Sequence, residues 1–118
     1  MLTRGERLLD ALFGVTGEPI DYRRNGASLA TGILAKLGQT AFRTTNPDGA
    51  SIRVDSRDFI VRAKDLPSGI EPEEGDEIVW GGLCFLVSAP NGEPCWAWHG
   101  RHLNSMIRIH TLHKGAAQ

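Results

Sequence analysis

Most of the chain is short apolar runs separated by turn-forming residues. From Asp76 to Leu112 it reads Asp-Glu-Ile-Val-Trp, Gly-Gly, Leu-Cys-Phe-Leu-Val-Ser-Ala, Pro-Asn-Gly-Glu-Pro, Cys-Trp-Ala-Trp-His, a polar loop, then Met-Ile-Arg-Ile-His-Thr-Leu. Four apolar runs cut in this way predict an antiparallel meander. Gly81-Gly82 suits a two-residue hairpin loop, because both central positions of a primed turn need positive φ. Pro90-Asn91-Gly92 predicts the next turn, with proline presetting φ and Asn-Gly tolerating the left-handed region.

Upstream, the only helical spacing is at the start. Thr3-Arg4-Gly5-Glu6 fits a capping box, Leu8, Leu9, Leu12 and Phe13 recur on one face, and Gly14 supplies a stop. This predicts one short N-terminal α-helix over about 4–13, which either plugs one end of a barrel or docks on a neighbouring subunit. Pro19 to Arg24 then reads as a strand with Ile20 and Tyr22 on one face and Asp21 and Arg23 on the other. Asn25-Gly26 marks a turn, and Leu29 to Leu37 alternates as a long strand in which Gly32 suggests a bulge or bend. Gly38 is expected to break that strand before a short run at Ala41-Phe42-Arg43. Thr44 to Gly49 reads as a loop, Ser51 to Ala63 as a strand pair or one bent strand, Ala63 to Pro67 as a single helical turn, and Ser68 to Gly75 as a polar loop. About seven strands with one leading helix predict a mainly β protein, a small antiparallel β-barrel or sandwich over about 18–113, in a single domain spanning 1–118.

Composition narrows the function classes. The 118 residues are 41% hydrophobic and 23% charged, with a formal net charge of -1. A protein that coats nucleic acid carries a basic excess, which is missing here. No apolar run approaches the ~20 residues that span a bilayer, so no membrane partner is expected. The first residues read as no secretion signal, and two cysteines form no disulfide framework, so a reducing cytoplasm is the expected setting.

The chemistry-bearing residues gather late in the chain. His99, His102, His110 and His113, with Cys84 and Cys95 near them, superficially suggest zinc. Strand residues three apart point to opposite faces, however, so His110 and His113 cannot chelate together, and no metal or cofactor is expected. Cys84 and Cys95 read as small core residues. No nucleophile elbow, Ser-x-x-Lys element or glycine-rich phosphate loop is present, so no catalytic residues are assigned and an enzyme is not expected. Glu71, Glu73, Glu74, Asp76 and Glu77 form an acidic run in a proline-glycine loop, which reads as a solvated rim. Lining a channel, such a rim would repel phosphates and keep DNA from sticking. Trp96 and Trp98 share a strand face and Trp80 lies on a neighbouring run. They are either core packing or anchors for a partner subunit.

Several segments together resemble a known family. Asp21-Tyr22-Arg23-Arg24-Asn25-Gly26 follows the predicted helix, Asp58-Phe59-Ile60-Val61 lies mid-chain, and Gly75-Asp76-Glu77-Ile78 opens the last third. Ala89-Pro90-Asn91-Gly92-Glu93-Pro94 with Trp96 and Trp98, and a closing Arg108-Ile109-His110-Thr111, complete the set. Over about Thr3 to His113 the chain is similar to the head-tail joining proteins of tailed bacteriophages, also called connector, stopper or head-completion proteins. The resemblance implies a homo-oligomeric ring of β-barrels below the portal in the virion, made in the host bacterial cytoplasm. It implies contacts with a portal or adaptor ring and with tail or tail-terminator proteins, and DNA passing through without specific binding. The loops holding Asn46, Asp48 and Gly49, and Glu71, Glu73, Glu74 and Asp76, are the expected channel or ring contacts. The competing reading is an OB-like or SH3-like module for nucleic acid or peptide.

Overall fold

The computed structural model describes residues 17–89, 92–100 and 105–116. The predicted helix over 4–13, the Pro90-Asn91 part of one turn, and His102 lie outside the described residues. Seven strands follow in chain order: β1 Glu18–Arg24, β2 Ala27–Thr45, β3 Ser51–Arg62, β4 Glu77–Trp80, β5 Leu83–Val87, β6 Trp96–Trp98 and β7 Met106–Ala116. All pairings among the described residues are antiparallel, and a 3-10 turn, Ala63–Asp65, follows β3. The expectation of a mainly β, seven-stranded antiparallel protein therefore matches the structure.

Local sequence explains the hairpins. Asn25 and Gly26 have φ of 52° and 79°, and Arg24 faces Ala27, so two residues in left-handed conformation connect β1 to β2. Gly81 and Gly82 do the same between β4 and β5, with φ of 58° and 78°. Gly32 marks a bulge: Ile20 faces Ile33 but Tyr22 faces Ala30, leaving one extra residue on β2. The Gly32 amide, turned out of the ladder, donates to Asp21 Oδ1 at 2.9 Å.

Two expectations are corrected. Gly38 does not break β2, which runs unbroken for 19 residues with Gly38 paired to Asp58. Its missing side chain makes room: a Cβ there would stand 3.0 Å from Arg108 Nη1, whose guanidinium lies across β3 over this position. The last four strands are also not a simple meander. β4 pairs with β5, but β5 and β6 lie end to end along one edge of β7, which pairs with β3 along its other edge. An 11-residue β7 is long enough to take two short strands on one side. The order β3-β2-β1-β4-β5-β7, with β3 paired again to β7, closes the circuit of pairings.

One face of the sheet carries the core, built from Ile20, Tyr22, Ala35, Phe59, Val61, Leu66, Ile78, Phe85, Val87, Ile107 and Ile109. Alternation explains all of these but Leu66, which follows the 3-10 turn, since each strand sends every second side chain inward. Phe59 meets Phe85 edge-on at 5.3 Å and Trp80 at 6.2 Å, which locks the middle of the core. Outside it, Ile60 and Met106 pack with Leu34.

Beyond this body the longest hairpin projects. β1 accompanies β2 only as far as Ala35, and β7 accompanies β3 only from Arg57. Residues 40–56 therefore form a ribbon of two strands with no third strand beside it among the described residues. Its tip is tied by Asn46, whose Oδ1 accepts from the amides of Asp48 at 3.1 Å and Ala50 at 2.9 Å.

Candidate functional site

Three surface features and two buried polar knots define what the body presents. The arm, 40–56, has one face made of Phe42, Val54 and Ile52, and an opposite face carrying Arg43, Arg53 and Asp55. Ile52 is 44% exposed, so the apolar face is open to contact. Asp48 and Gly49 are exposed at the arm's tip, while Asn46 is half-buried by its own turn.

The acidic loop is less uniform than its composition suggests. Glu71, Glu73 and Glu74 are exposed, but Asp76 is only 2% exposed and belongs to the interior of the protein. Arg24 grips it with Nε at 2.9 Å and Nη2 at 3.0 Å, the Tyr22 hydroxyl donates to it, and the Glu73 amide donates at 2.9 Å. Arg24 also donates to the Glu71 carbonyl at 2.8 Å, so this one arginine seats the whole loop on the end of β1. Tyr22 points inward because of its place in the strand alternation, and a buried hydroxyl needs a partner. Burial pushes the Tyr22 hydroxyl up, and its bond to Asp76 adds to that. Burial opposes ionisation of Asp76 too, but the bonds from Arg24 and Tyr22 outweigh it and hold the carboxyl below its usual value. A depressed native pKa means the stabilisation is complete above the unfolded value of about 4 and is lost as pH falls through the native one. Acid titration followed by circular dichroism should therefore show stability declining below about pH 4. Asp76→Asn should flatten that decline.

The second knot lies on the outer face at the root of the arm. Asp58 is fully buried there. It accepts from Ser56 Oγ at 2.5 Å, from Arg108 Nη1 at 2.6 Å and from the Thr40 hydroxyl, and His110 Nδ1 lies 2.9 Å away. Phe42 covers His110 edge-on at 5.0 Å. Burial works against the Asp58 anion, yet this set of donors holds its pKa low. Three strands meet at one carboxylate: β2 through Thr40, β3 through Ser56, and β7 through both Arg108 and His110. Sequence reasoning missed this knot. Its signal was an aspartate heading an apolar run, Asp58-Phe59-Ile60-Val61, which demands buried partners if the strand end is interior.

The tryptophans divide between two environments. Trp80 and Trp96 are half-buried and pack against the core, whereas Trp98 is 48% exposed. Trp98 is held edge-on by Trp96, with ring centroids 5.2 Å apart. Among the described histidines, His110 turns to Asp58 on the outer face, His99 Nδ1 accepts from Arg108 Nε at 3.4 Å, and His113 lies against Phe85, 5.3 Å between centroids. Among the described residues no three metal-ligating side chains come together. Cys84 and Cys95 are free thiols. Burial raises both, and the Cys84 Sγ donates to Glu77 Oε2 at 2.7 Å, so neither is set up as a thiolate nucleophile. No helix among the described residues is long and apolar enough to cross a membrane.

The arrangement is a packed sheet that fixes an arm, a loop and an aromatic surface in place, which is the design of a scaffold for other proteins. The family model for phage head-tail joining proteins matches residues 1–118, and the chain belongs to that family. No curated protein matches the chain. Membership makes it a structural protein of bacteriophage virion assembly, working with other head and tail proteins.

Proposed function

We propose that this chain is a ring-forming subunit of the head-tail junction, one that helps retain packaged DNA and provides a surface for the tail. The observation that carries the reading is the projecting arm, because a lone two-stranded ribbon is marginal in water and gains stability from a partner. The closed circuit of strand pairings serves as a one-domain β-barrel core, and the arm tip and acidic loop reach from it toward the channel or the adjoining rings. A ring needs two different surfaces on each subunit, which the arm and the remainder of the body supply. Exposed Glu71, Glu73 and Glu74 suit a passage for DNA, since fixed negative charge discourages phosphates from binding. No catalysis enters this role, and no cofactor is required for it.

Shortening the tip, by replacing Asn46 to Gly49 with Asn-Gly, tests the reading. The variant should fold and melt as the parent does, yet in complementation of a phage lacking this protein it should yield heads that leak DNA or lack tails. Normal infectious titres from a folded variant would remove the arm tip from the mechanism. The tryptophans give an independent comparison. Trp96→Ala should cost about 2–3 kcal/mol, below the ~3–5 of a fully buried aromatic. Trp98→Ala should stay within about 0.5 kcal/mol of the parent in denaturant melts, as exposed positions do, while reducing tail attachment. Equal losses of stability at both positions would make Trp98 a core residue.

A further inference from the structure

We infer that β6 is a docking edge on which an extended segment of another head or tail protein adds as a strand, setting an apolar side chain on Trp98 and a Lys or Arg beside Glu74. The inference rests on the reading of this chain as a junction subunit and names the chemistry of the partner at its Trp98 surface. Among the described residues β6 pairs with β7 alone. The phase of that pairing fixes which backbone groups are left over. The His110 amide donates to the Cys95 carbonyl at 2.8 Å, and the His99 amide donates to the Met106 carbonyl at 2.9 Å. Bonded positions of an antiparallel ladder recur every second residue, so Cys95, Ala97 and His99 turn toward β7. Trp96 and Trp98 then turn their amides and carbonyls the other way, where no backbone hydrogen bond reaches them among the described residues.

The same edge carries an apolar anchor at one end and negative charge at the other. Trp98 is exposed and held edge-on by Trp96, so it presents a fixed aromatic surface, and the small side chain of Ala97 beside it is exposed too. At the head of the strand, Cys95 Sγ lies 3.6 Å from the Pro72 carbonyl, which brings the acidic loop alongside. Burial raises the Cys95 thiol first, and the charges of Glu74, Asp76 and Glu73 raise it further, so these carboxylates stand close to it. Asp76 is gripped by Arg24, which also approaches Glu73 at 3.7 Å, while Glu74 is exposed and makes no ion pair among the described residues. Arg108, opposite Ala97 in β7, is committed to Asp58. The edge therefore fits a segment with an apolar residue and, about three residues or 10 Å along, a cation. In strand addition the main-chain bonds supply affinity and the side-chain positions choose the partner.

Particles of a phage lacking this protein, complemented with variants, test the edge. Benzoyl-phenylalanine in place of Ala97, activated by light, should join the chain to another virion protein at a segment with a Lys or Arg about three residues from an apolar side chain. Attachment to residues 1–16 of this chain, to any part of a second copy, or to a segment with no basic residue would overturn the inference. So would the absence of any attachment in particles that contain the chain. Trp98→Ala and Trp98→Pro separate the indole from the strand edge, because both remove the indole and only proline also removes an amide facing the open side. Both purified variants should melt like the parent, with Trp98→Ala lowering infectious titre about tenfold and Trp98→Pro about tenfold more. Equal titres for the two would overturn strand addition. Glu74→Lys should also lower titre, and a parental titre there would overturn the charge match. An immunoblot of parental particles isolates the underlying reading: absence of the chain removes the junction role itself, whereas its presence with position 97 unlinked removes only the docking edge.

Discussion

Asp58→Ala is expected to destabilise the protein by about 3–5 kcal/mol, the cost of breaking a buried charge pair by removing one partner. The aspartate is fully buried, and Arg108, Ser56, Thr40 and His110 all converge on it. Truncation leaves those groups around an empty space, with the Arg108 guanidinium uncompensated. The loss should be smaller when Arg108 has already become methionine, with a coupling of about 1 kcal/mol or more between the two sites. Urea melts of the parent, both single variants and the double variant measure it. Additive costs would mean that Asp58 and Arg108 do not act as a pair. Because the knot lies where the arm leaves the body, the same variant should open the amides of Thr40 to Arg43 to faster hydrogen exchange.

Phe59→Ala is the second large effect, expected at about 3–5 kcal/mol. Phe59 is fully buried between Phe85 and Trp80, in the middle of a closed circuit of strands that cannot easily collapse into the gap. The midpoint of denaturant unfolding should fall steeply. Phe59→Leu should recover a large part of the loss, because it refills most of the volume. A loss below about 1 kcal/mol for Phe59→Ala would show that the strands around it relax, contrary to a tightly packed centre.

The local features of the fold were legible because they depend on few residues. Asn25-Gly26 and Gly81-Gly82 specify their hairpins by φ alone, and Gly32 marks a bulge for the same reason. Long-range pairing was not. That β5 and β6 would share one edge of β7 depends on which distant strands fit together, and no spacing in the chain encodes it directly. Gly38 shows the difference most clearly. Locally it reads as a strand breaker, but the deciding contact comes from Arg108, 70 residues away in sequence. The acidic loop was legible as charge and illegible as architecture: nothing local separates Asp76, seated by Arg24 and Tyr22, from its exposed neighbours Glu73 and Glu74. For the tryptophans the strand alternation put Trp96 and Trp98 on one face, and only the tertiary packing set one against the core and the other in the open.

These observations give the two buried carboxylates a common purpose. Asp58 ties the root of the arm to β7, and Asp76 ties the acidic loop to β1, so both projecting features leave the body from rigid anchors. A contact surface held in advance loses less freedom when it binds, which favours assembly on a template.

The most direct test of the central claim is a cryo-electron microscopy reconstruction of the head-tail junction in particles of the parent phage. The account predicts a closed ring of this chain between the portal and the tail, with the arm of each subunit lying on its neighbour. A junction that contains the chain as isolated copies, or a mature particle that lacks it, would contradict the account.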